Sequence, residues 1–552
     1  MELFAFNPPA VRMVRDRRRC GEQPLAIGPS GAEEAAGMLQ VALDLHKRGD
    51  ARMAAVIYED VLRRDPGNPQ AQHYLGLALH HQGQSDQAVD LITQALASRP
   101  NDAVMYVNRG VALNALARSP AALADFDRAL LLDPGIVQAH HGRAIALRAV
   151  GRLEEALAAF DRTLGTWPRH AGAHIDRGDA LRGLGRWQSA LESFETATAL
   201  EPNNAAAWYN RGGALKALGR IDEAVSAYDR AIAIIPDFAI AHHNRAVCRL
   251  HLGDYPGGLE EYEWRKACPT FTDPRYHMER PWRGEALAGK SLFIYPELFQ
   301  GDVIQFSRFV AAAGRAGAEV TFAAPRPMHA LLRTLGPSIG LLDETEIAEG
   351  FDYQSALLSL PYGLGATLET LPAAPYLRAD PVRVERWRQV IGSQGFKVGV
   401  VWQGSTAPYA LPLQRSFPLA SLQPLAEIAN VRLISLQKVN GLDQLANLPP
   451  SMTVEDLGEG FDPGPDIFID TAAAMSCCDL FITPDTSVAH LAGALGVKTW
   501  LALPQVADWR WMNERRDSAW YPSLRLFRQG EPGDWPGVFA AMAAHLASLA
   551  SG

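Results

Sequence analysis

The stretch "NNAAAWYNRGGALKALGRIDEAVSAYDRAIAIIP", residues 203–236, reads as two short helices folded back at Gly219 and stopped by Pro236. Ala224 is small enough to let the two helices touch, and Tyr228 supplies the bulk that fills the groove to the next such pair. The same pattern runs through the first half of the chain. Prolines stand at 66, 100, 134, 168, 202 and 236, one every 34 residues, with alanines at 54, 88, 122, 156, 190 and 224 in the same frame. Tyr58, Ile92, Phe126, Phe160, Phe194, Tyr228 and Tyr262 share a third column; Gly49, Gly83, Ala117, Gly151, Gly185, Gly219 and Gly253 share a fourth. Units of this kind bury their apolar faces by stacking on one another, so the periodicity predicts a helical solenoid.

A 34-residue helix pair of this design resembles the tetratricopeptide repeat (TPR). Six clear units run from about 35 to 238. A seventh, 239–272, keeps Ala246, Gly253 and Tyr262 but has Gly258 in the alanine column and Pro269 near the missing end-proline. Such a superhelix presents a groove lined by the first helix of each pair. One column there reads Asn108, Gly142, Asp176, Asn210 and Asn244, followed in turn by Arg109, Arg143, Arg177, Arg211 and Arg245. It resembles the partial asparagine ladder with which the repeats of O-GlcNAc transferase hold an extended peptide, because an asparagine amide both donates to a carbonyl and accepts from an N–H. On that resemblance Asn108, Asn210 and Asn244 bind an acceptor protein. The alternative is that these Asn and Arg side chains bridge the repeats structurally. As a solenoid stabilised by nearest neighbours, a fragment ending near residue 268 should fold alone.

A chain of 552 residues is too long for one ordinary core. Its net charge of −9 and lack of a long basic stripe argue against nucleic acid as partner. Cys20, Cys248, Cys268 and the adjacent Cys477 and Cys478 lack CxxC spacing, giving neither a disulfide framework nor a zinc knuckle. No apolar stretch reaches the roughly 18 residues of a membrane span, and a cytoplasmic location is expected. The basic run "VRMVRDRRRC" (11–20) is read as part of a flexible solvated tail over 1–34, with docking to a partner or anionic surface as the alternative.

Past the solenoid (35–272) and a linker (273–289) the periodicity changes. "KSLFIYP" (290–296) is a buried-strand pattern, "DVIQFSRFVAAAGRAG" (302–317) a helix and "AEVTFAAP" (318–325) another strand. A second run starts at "FKVGVVWQG" (396–404), continues through "VRLISLQ" (431–437) and closes with alternating helix and strand over 466–504. These predict two Rossmann-like lobes, 290–385 and 386–552, with ligands beyond the carboxyl ends of their strands. In "PDTSVAHLAGALG" (484–496), Thr486 and Ser487 open a helix and His490 lies in its first turn. Such a turn offers unpaired N–H groups and hydroxyls to a phosphate; an ordinary helix cap is the plainer reading.

Three stretches together resemble the ADP-heptose lipopolysaccharide heptosyltransferases, a GT-B family. "PDTSVAHLAGALG" is similar to their D-T/S-G-x-x-H-L/I-x-x-A-L-G motif at the donor diphosphate, with Ser487 in place of glycine. "FQGDVIQFSRFV" (299–310) is similar to their opening GDV motif, whose aspartate supplies the catalytic base, and "QRSFPLASLQPL" (414–425) to a motif that places a cation on the donor phosphates, with Arg415 for the usual lysine. The resemblance covers roughly 290–530. It implies Asp302 as general base and Arg415, Asp485, Thr486, Ser487 and His490 at the donor, with Gln437 in "SLQK" (435–438) as a further donor contact or else a plain loop residue. Trp509, Arg510 and Trp511 would stack on base or sugar, or be buried structural residues. Glu297 is the alternative base.

The whole arrangement, repeats followed by a compact GT-B unit, looks like the bacterial TPR-containing glycosyltransferases, a group that includes flagellin-modifying enzymes. What this implies is a metal-independent, inverting transfer from a nucleotide-sugar to a hydroxyl of a protein held by the repeats, flagellin being a candidate acceptor. No cofactor is expected, and no DxD-like pair stands where a metal-bridged diphosphate would need one. Two alternatives stay open: a scaffold whose GT-B unit no longer catalyses, and an enzyme acting on a lipid-linked or lipopolysaccharide acceptor.

Overall fold

The computed structural model describes residues 31–269, 280–297, 299–346, 348–405 and 415–550. The basic run at 11–20, residues 270–279 at the end of the seventh repeat and the start of the linker, and Gln414 lie outside them. The chain divides into two compact units, residues 1–168 and 169–552.

The first unit holds four helix pairs: Gly31–Lys47 with Ala51–Arg64, Pro69–His81 with Ser85–Ser98, Ala103–Ala115 with Ser119–Leu132, and Val137–Ala149 with Leu153–Thr166. The first helix thus begins at Gly31, inside the segment expected to be a tail. Ala54, Ala88, Ala122 and Ala156 are fully buried, as are Tyr58, Ile92, Phe126 and Phe160. Burying each large side chain contributes roughly 1.5–3 kcal/mol. The ring of Phe126 lies so close to the next pair that a Cβ on Gly142 would sit 2.3 Å from its Cζ. Gly142 is the glycine that interrupts the asparagine column. At the turn between helices Ala117 adopts φ 55°, the left-handed conformation that glycine takes at the equivalent positions 49, 83 and 151.

The second unit begins with three more pairs: Ala171–Gly183 with Trp187–Leu200, Ala205–Ala217 with Ile221–Ile234, and Ala239–Leu252 with the short Tyr255–Tyr262, which runs into a 3₁₀ turn, Glu263–Ala267. Two parallel sheets follow. Strands β1 (Ser291–Tyr295), β2 (Glu319–Ala324), β3 (Ile339–Asp343) and β4 (Tyr353–Ala356) lie in the order β3-β2-β1-β4. Strands β5 (Phe396–Val400), β6 (Val431–Ser435), β7 (Val454–Asp456), β8 (Leu480–Pro484), β9 (Thr499–Leu503) and β10 (Leu524–Arg528) lie in the order β10-β9-β8-β5-β6-β7. Every residue of β8 and β9 is buried, as continuous apolar runs require when both faces of a parallel sheet are covered.

The seventh repeat is not a detachable end of the solenoid. Ala246, Leu250, Tyr255, Leu259 and Tyr262 belong to the same core as Trp282, Leu292, Trp509 and Trp520. Tyr255 meets Trp509 and Trp520 with ring centres 6.2 and 6.0 Å apart. Arg265, fully buried, donates from Nε and Nη2 to Glu297, both at 2.9 Å, and from Nη2 to Ser359 Oγ at 2.8 Å. A fragment ending near 268 would strand these groups in water or without partners, which weighs against the expectation that it folds alone. The described part of the linker is likewise anchored: Trp282 is buried, its backbone N–H donates to Gln354 O at 2.8 Å and its indole N–H to Glu285 O at 2.9 Å.

Candidate functional site

In the six-stranded sheet the chain turns from one side of β5 to the other between β6 and β8, and ligands of such sheets sit beyond the carboxyl ends at that switch. There β8 ends at Pro484 and the helix Ser487–Leu495 begins, with Thr486 at its N-cap. A threonine in that position ordinarily bonds an N–H two or three residues on. Thr486 makes no such bond; its hydroxyl lies 3.4 Å from Pro484 O and 3.3 Å from Thr483 Oγ1. The first N–H groups of this helix therefore carry no side-chain cap. Two glycines bring other segments close to it. A Cβ on Gly301, in the first turn of the helix Gln300–Arg315, would lie 3.5 Å from Ser487 Cα, and one on Gly404 would lie 3.1 Å from Thr486 Cγ2.

Charged groups gather around this turn. Arg415 Nη1 stands 3.7 Å from Asp485 Oδ2, a loose pair with the arginine about a third exposed. Arg510 fans out to three acceptors: Asp302 Oδ1 at 2.7 Å, Asp508 Oδ1 at 2.9 Å and Gln305 Oε1 at 2.5 Å. Asp302 also accepts the Phe299 N–H at 3.3 Å. Burial raises the Asp302 carboxyl above the usual carboxylate range, with Arg510 pulling the other way. Burial and the charge of Asp508 raise Asp485, against Arg415. Asp508 itself is held low: burial opposes ionisation, but the charge and hydrogen bonds of Arg510 outweigh it.

His490 lies in the first turn of the helix Ser487–Leu495, where the sequence resemblance puts a donor contact. It is buried, stacks on Trp511 with ring centres 5.4 Å apart, and has the Tyr521 hydroxyl 3.0 Å from Nδ1. Burial and the charge of Arg510 lower its pKa to about 3, so the ring is neutral and brings no positive charge to the turn. Trp509 and Trp511 are 4% and 1% exposed, which makes them the buried structural tryptophans of the plainer reading. The Gln437 amide is spent on backbone: Oε1 accepts from Trp402 N–H at 3.0 Å and Gln403 N–H at 3.1 Å, and Nε2 donates to Gln403 O at 2.9 Å. It shapes the loop after β5. Glu297, the alternative base, is closed off by its buried pair with Arg265.

In the repeats, Asn108 Nδ2 lies 2.7 Å from His73 Nε2, and the Asn244 amide meets Lys216 Nζ at 2.6 Å and Tyr209 Oη at 3.3 Å. Asn210, by contrast, makes no side-chain hydrogen bond among the described residues. The arginine column bridges helices: Arg109 pairs with Asp125 at 2.6 Å, Arg143 with Asp127 at 2.6 Å, Arg177 bonds Ser193 at 2.8 Å, and Arg245 pairs with Glu261. The structural alternative holds for those arginines.

Sequence reasoning missed Asp508, Gln305 and Tyr521. Only the first had a signal, in the run "DWRW" (508–511), where acid, cation and aromatics alternate.

Fold and site together define a class: tetratricopeptide repeats joined to a region of two parallel sheets. Tetratricopeptide repeat families match residues 45–106, 107–171, 175–237 and 217–270. Protein FlbA of Caulobacter vibrioides is 28% identical over 331 residues, covering 55% of this chain and 54% of FlbA. The matched stretch thus spans about half the length of that relative. Among solved structures, PilW, described as a widely conserved type IV pilus biogenesis factor, is 24% identical with a TM-score of 0.35, covering 37% of this chain and 94% of PilW. YrrB, described as a TPR protein with an unusual peptide-binding site, is 25% identical with a TM-score of 0.29, covering 32% of this chain and 91% of YrrB. No helix among the described residues is long and apolar enough to cross a membrane.

Proposed function

We propose that the two parallel sheets form a GT-B glycosyltransferase that moves a sugar from a nucleotide donor to a hydroxyl of a protein docked on the repeats. The observation that carries this reading is the uncapped start of the helix Ser487–Leu495, faced by Arg415 beyond the carboxyl ends of β5 and β8. Helix N–H groups, the Thr486 and Ser487 hydroxyls and the Arg415 guanidinium would hold the departing nucleotide's negative charge. Asp302 would take the acceptor proton, its basicity raised by burial and its orientation fixed by Arg510. Charge compensation from protein groups makes the transfer metal-independent in this reading, and direct displacement makes it inverting. Flagellin is the acceptor that the sequence resemblance names.

Asp302→Asn keeps the shape but removes the base, so turnover of an identified donor should fall by about 10²–10⁴ with nucleotide binding retained. Unchanged turnover overturns the assignment. A second reading, a tetratricopeptide scaffold with an inactive αβ region, is favoured by the engagement of Asp302 by Arg510 and by the neutral state of His490. In that case no nucleotide binds.

A further inference from the structure

Away from the turn at Thr486, a cavity of about 450 Å³ opens beside the second half of the helix Gln300–Arg315. It is lined by Arg308, Arg315, Thr334, Tyr376 and Arg378, with alanines, prolines and Leu335 between them. No aspartate or glutamate lines it. Three guanidinium groups around one space, in a chain with 61 acidic and 52 basic residues, repel one another unless something anionic lies between them.

Arg308 supplies the second observation. It is 1% exposed, yet its Nε and Nη2 have no hydrogen-bond partner. Its Nη1 donates to Trp520 O at 2.8 Å and Pro372 O at 3.3 Å, and its guanidinium lies over the rings of Tyr376 and Tyr521, 4.6 Å from each centre. A buried arginine held by carbonyl dipoles and by Tyr376 and Tyr521, with no ion-pair partner among the described residues, keeps its full charge, and that charge stands in the wall of this cavity. Arg315 and Arg378 are exposed at the rim, and neither has an ion-pair partner among the described residues. Planar forks of this kind grip phosphate oxygens two at a time.

We infer that this cavity is a binding site for a small phosphorylated anion, separate from the turn at Thr486, with Arg315 and Arg378 clasping the phosphate over the buried charge of Arg308. Arg308 also connects it to the candidate active site, because Tyr521 under its guanidinium places its hydroxyl on His490.

The test uses the full chain carrying Arg415→Ala, which weakens the other phosphate site, and inorganic pyrophosphate as the probe in isothermal titration at low salt. Saturable 1:1 binding is expected, weakened at least tenfold by Arg315→Gln and by Arg378→Gln and abolished by the pair. Both substitutions fall on exposed side chains, so unchanged melting temperature will show that the fold is intact. A parallel titration with inorganic phosphate should give weaker binding at the same site. Absence of pyrophosphate binding at millimolar concentration, or binding that the double variant leaves unchanged, overturns the inference.

Discussion

Replacing Arg265 by alanine tests how the last repeat is built into the αβ region. The guanidinium is fully buried, as is the Glu297 carboxylate it meets through two bonds of 2.9 Å. Removing it leaves Glu297 as a buried charge without its arginine, although it still accepts the Leu358 N–H at 2.9 Å. Breaking a buried pair from one side costs about 3–5 kcal/mol. Removing both charges, in Arg265→Met with Glu297→Leu, leaves the Leu358 N–H unsatisfied and takes Arg265 from Glu263, which keeps Lys266 at 2.6 Å, so the cost is smaller, about 1–3 kcal/mol. Every tryptophan but Trp167 lies beyond residue 168, so urea unfolding followed by tryptophan fluorescence reports the second unit. The single variant should lose the larger amount and the double variant should recover part of it. An Arg265→Ala protein within about 0.5 kcal/mol of wild type would refute the idea that the seventh repeat and the sheets share one core.

In the first unit, Gly142→Ala should cost about 1–3 kcal/mol, measured by circular dichroism on thermal unfolding, because its Cβ meets the Phe126 ring; a neutral effect would mean the ring moves freely. Ala117→Gly at φ 55° should instead stabilise by up to about 1 kcal/mol, by relieving a left-handed alanine; destabilisation would contradict that geometry. Acidification should weaken the second unit through His490, whose folded pKa of about 3 lies below its ordinary 6.5. The unfolded chain takes up a proton below pH 6.5 that the folded chain refuses. The loss therefore runs from about pH 6.5 towards 3, at up to about 1.4 kcal/mol per pH unit, and is absent above it. His490→Gln should reduce that slope, leaving the share of His243, which burial also lowers to about 3, and an unchanged slope would place His490 in water.

Much of this architecture was legible because its signals are local and periodic. The columns of Pro, Ala and aromatic residues gave the repeats, and the runs at 291–295, 319–324, 396–400, 431–435, 480–484 and 499–503 gave six strands. Others were hidden by composition. β3 is an edge strand containing Gly340 and is only partly buried, β7 is three residues long, and β10 carries Arg525 and Arg528. The turn at Thr486 was readable as a motif, but the meeting of Arg510 with Asp302 joins residues more than 200 apart. No spacing rule reveals such a contact. Nor could sequence tell that the Gln437 amide is consumed by the backbone at 402 and 403, or that Trp509 and Trp511 face inward. Each depends on which side of a loop the core occupies.

The most direct test of the central claim is titration of UDP, GDP, ADP and CMP into the full chain and into Arg415→Ala, followed by calorimetry. A nucleotide phosphate at the uncapped helix start gains charge-assisted hydrogen bonds worth roughly 1.5–3 kcal/mol each. One of these nucleotides should bind wild type saturably and lose about 10- to 150-fold in affinity in Arg415→Ala. The melting temperature of the unliganded variant should stay near wild type, since among the described residues the ion pair it loses is the loose 3.7 Å contact to Asp485. Equal affinity in both proteins, or no binding of any of the four at millimolar concentration, would contradict the nucleotide site.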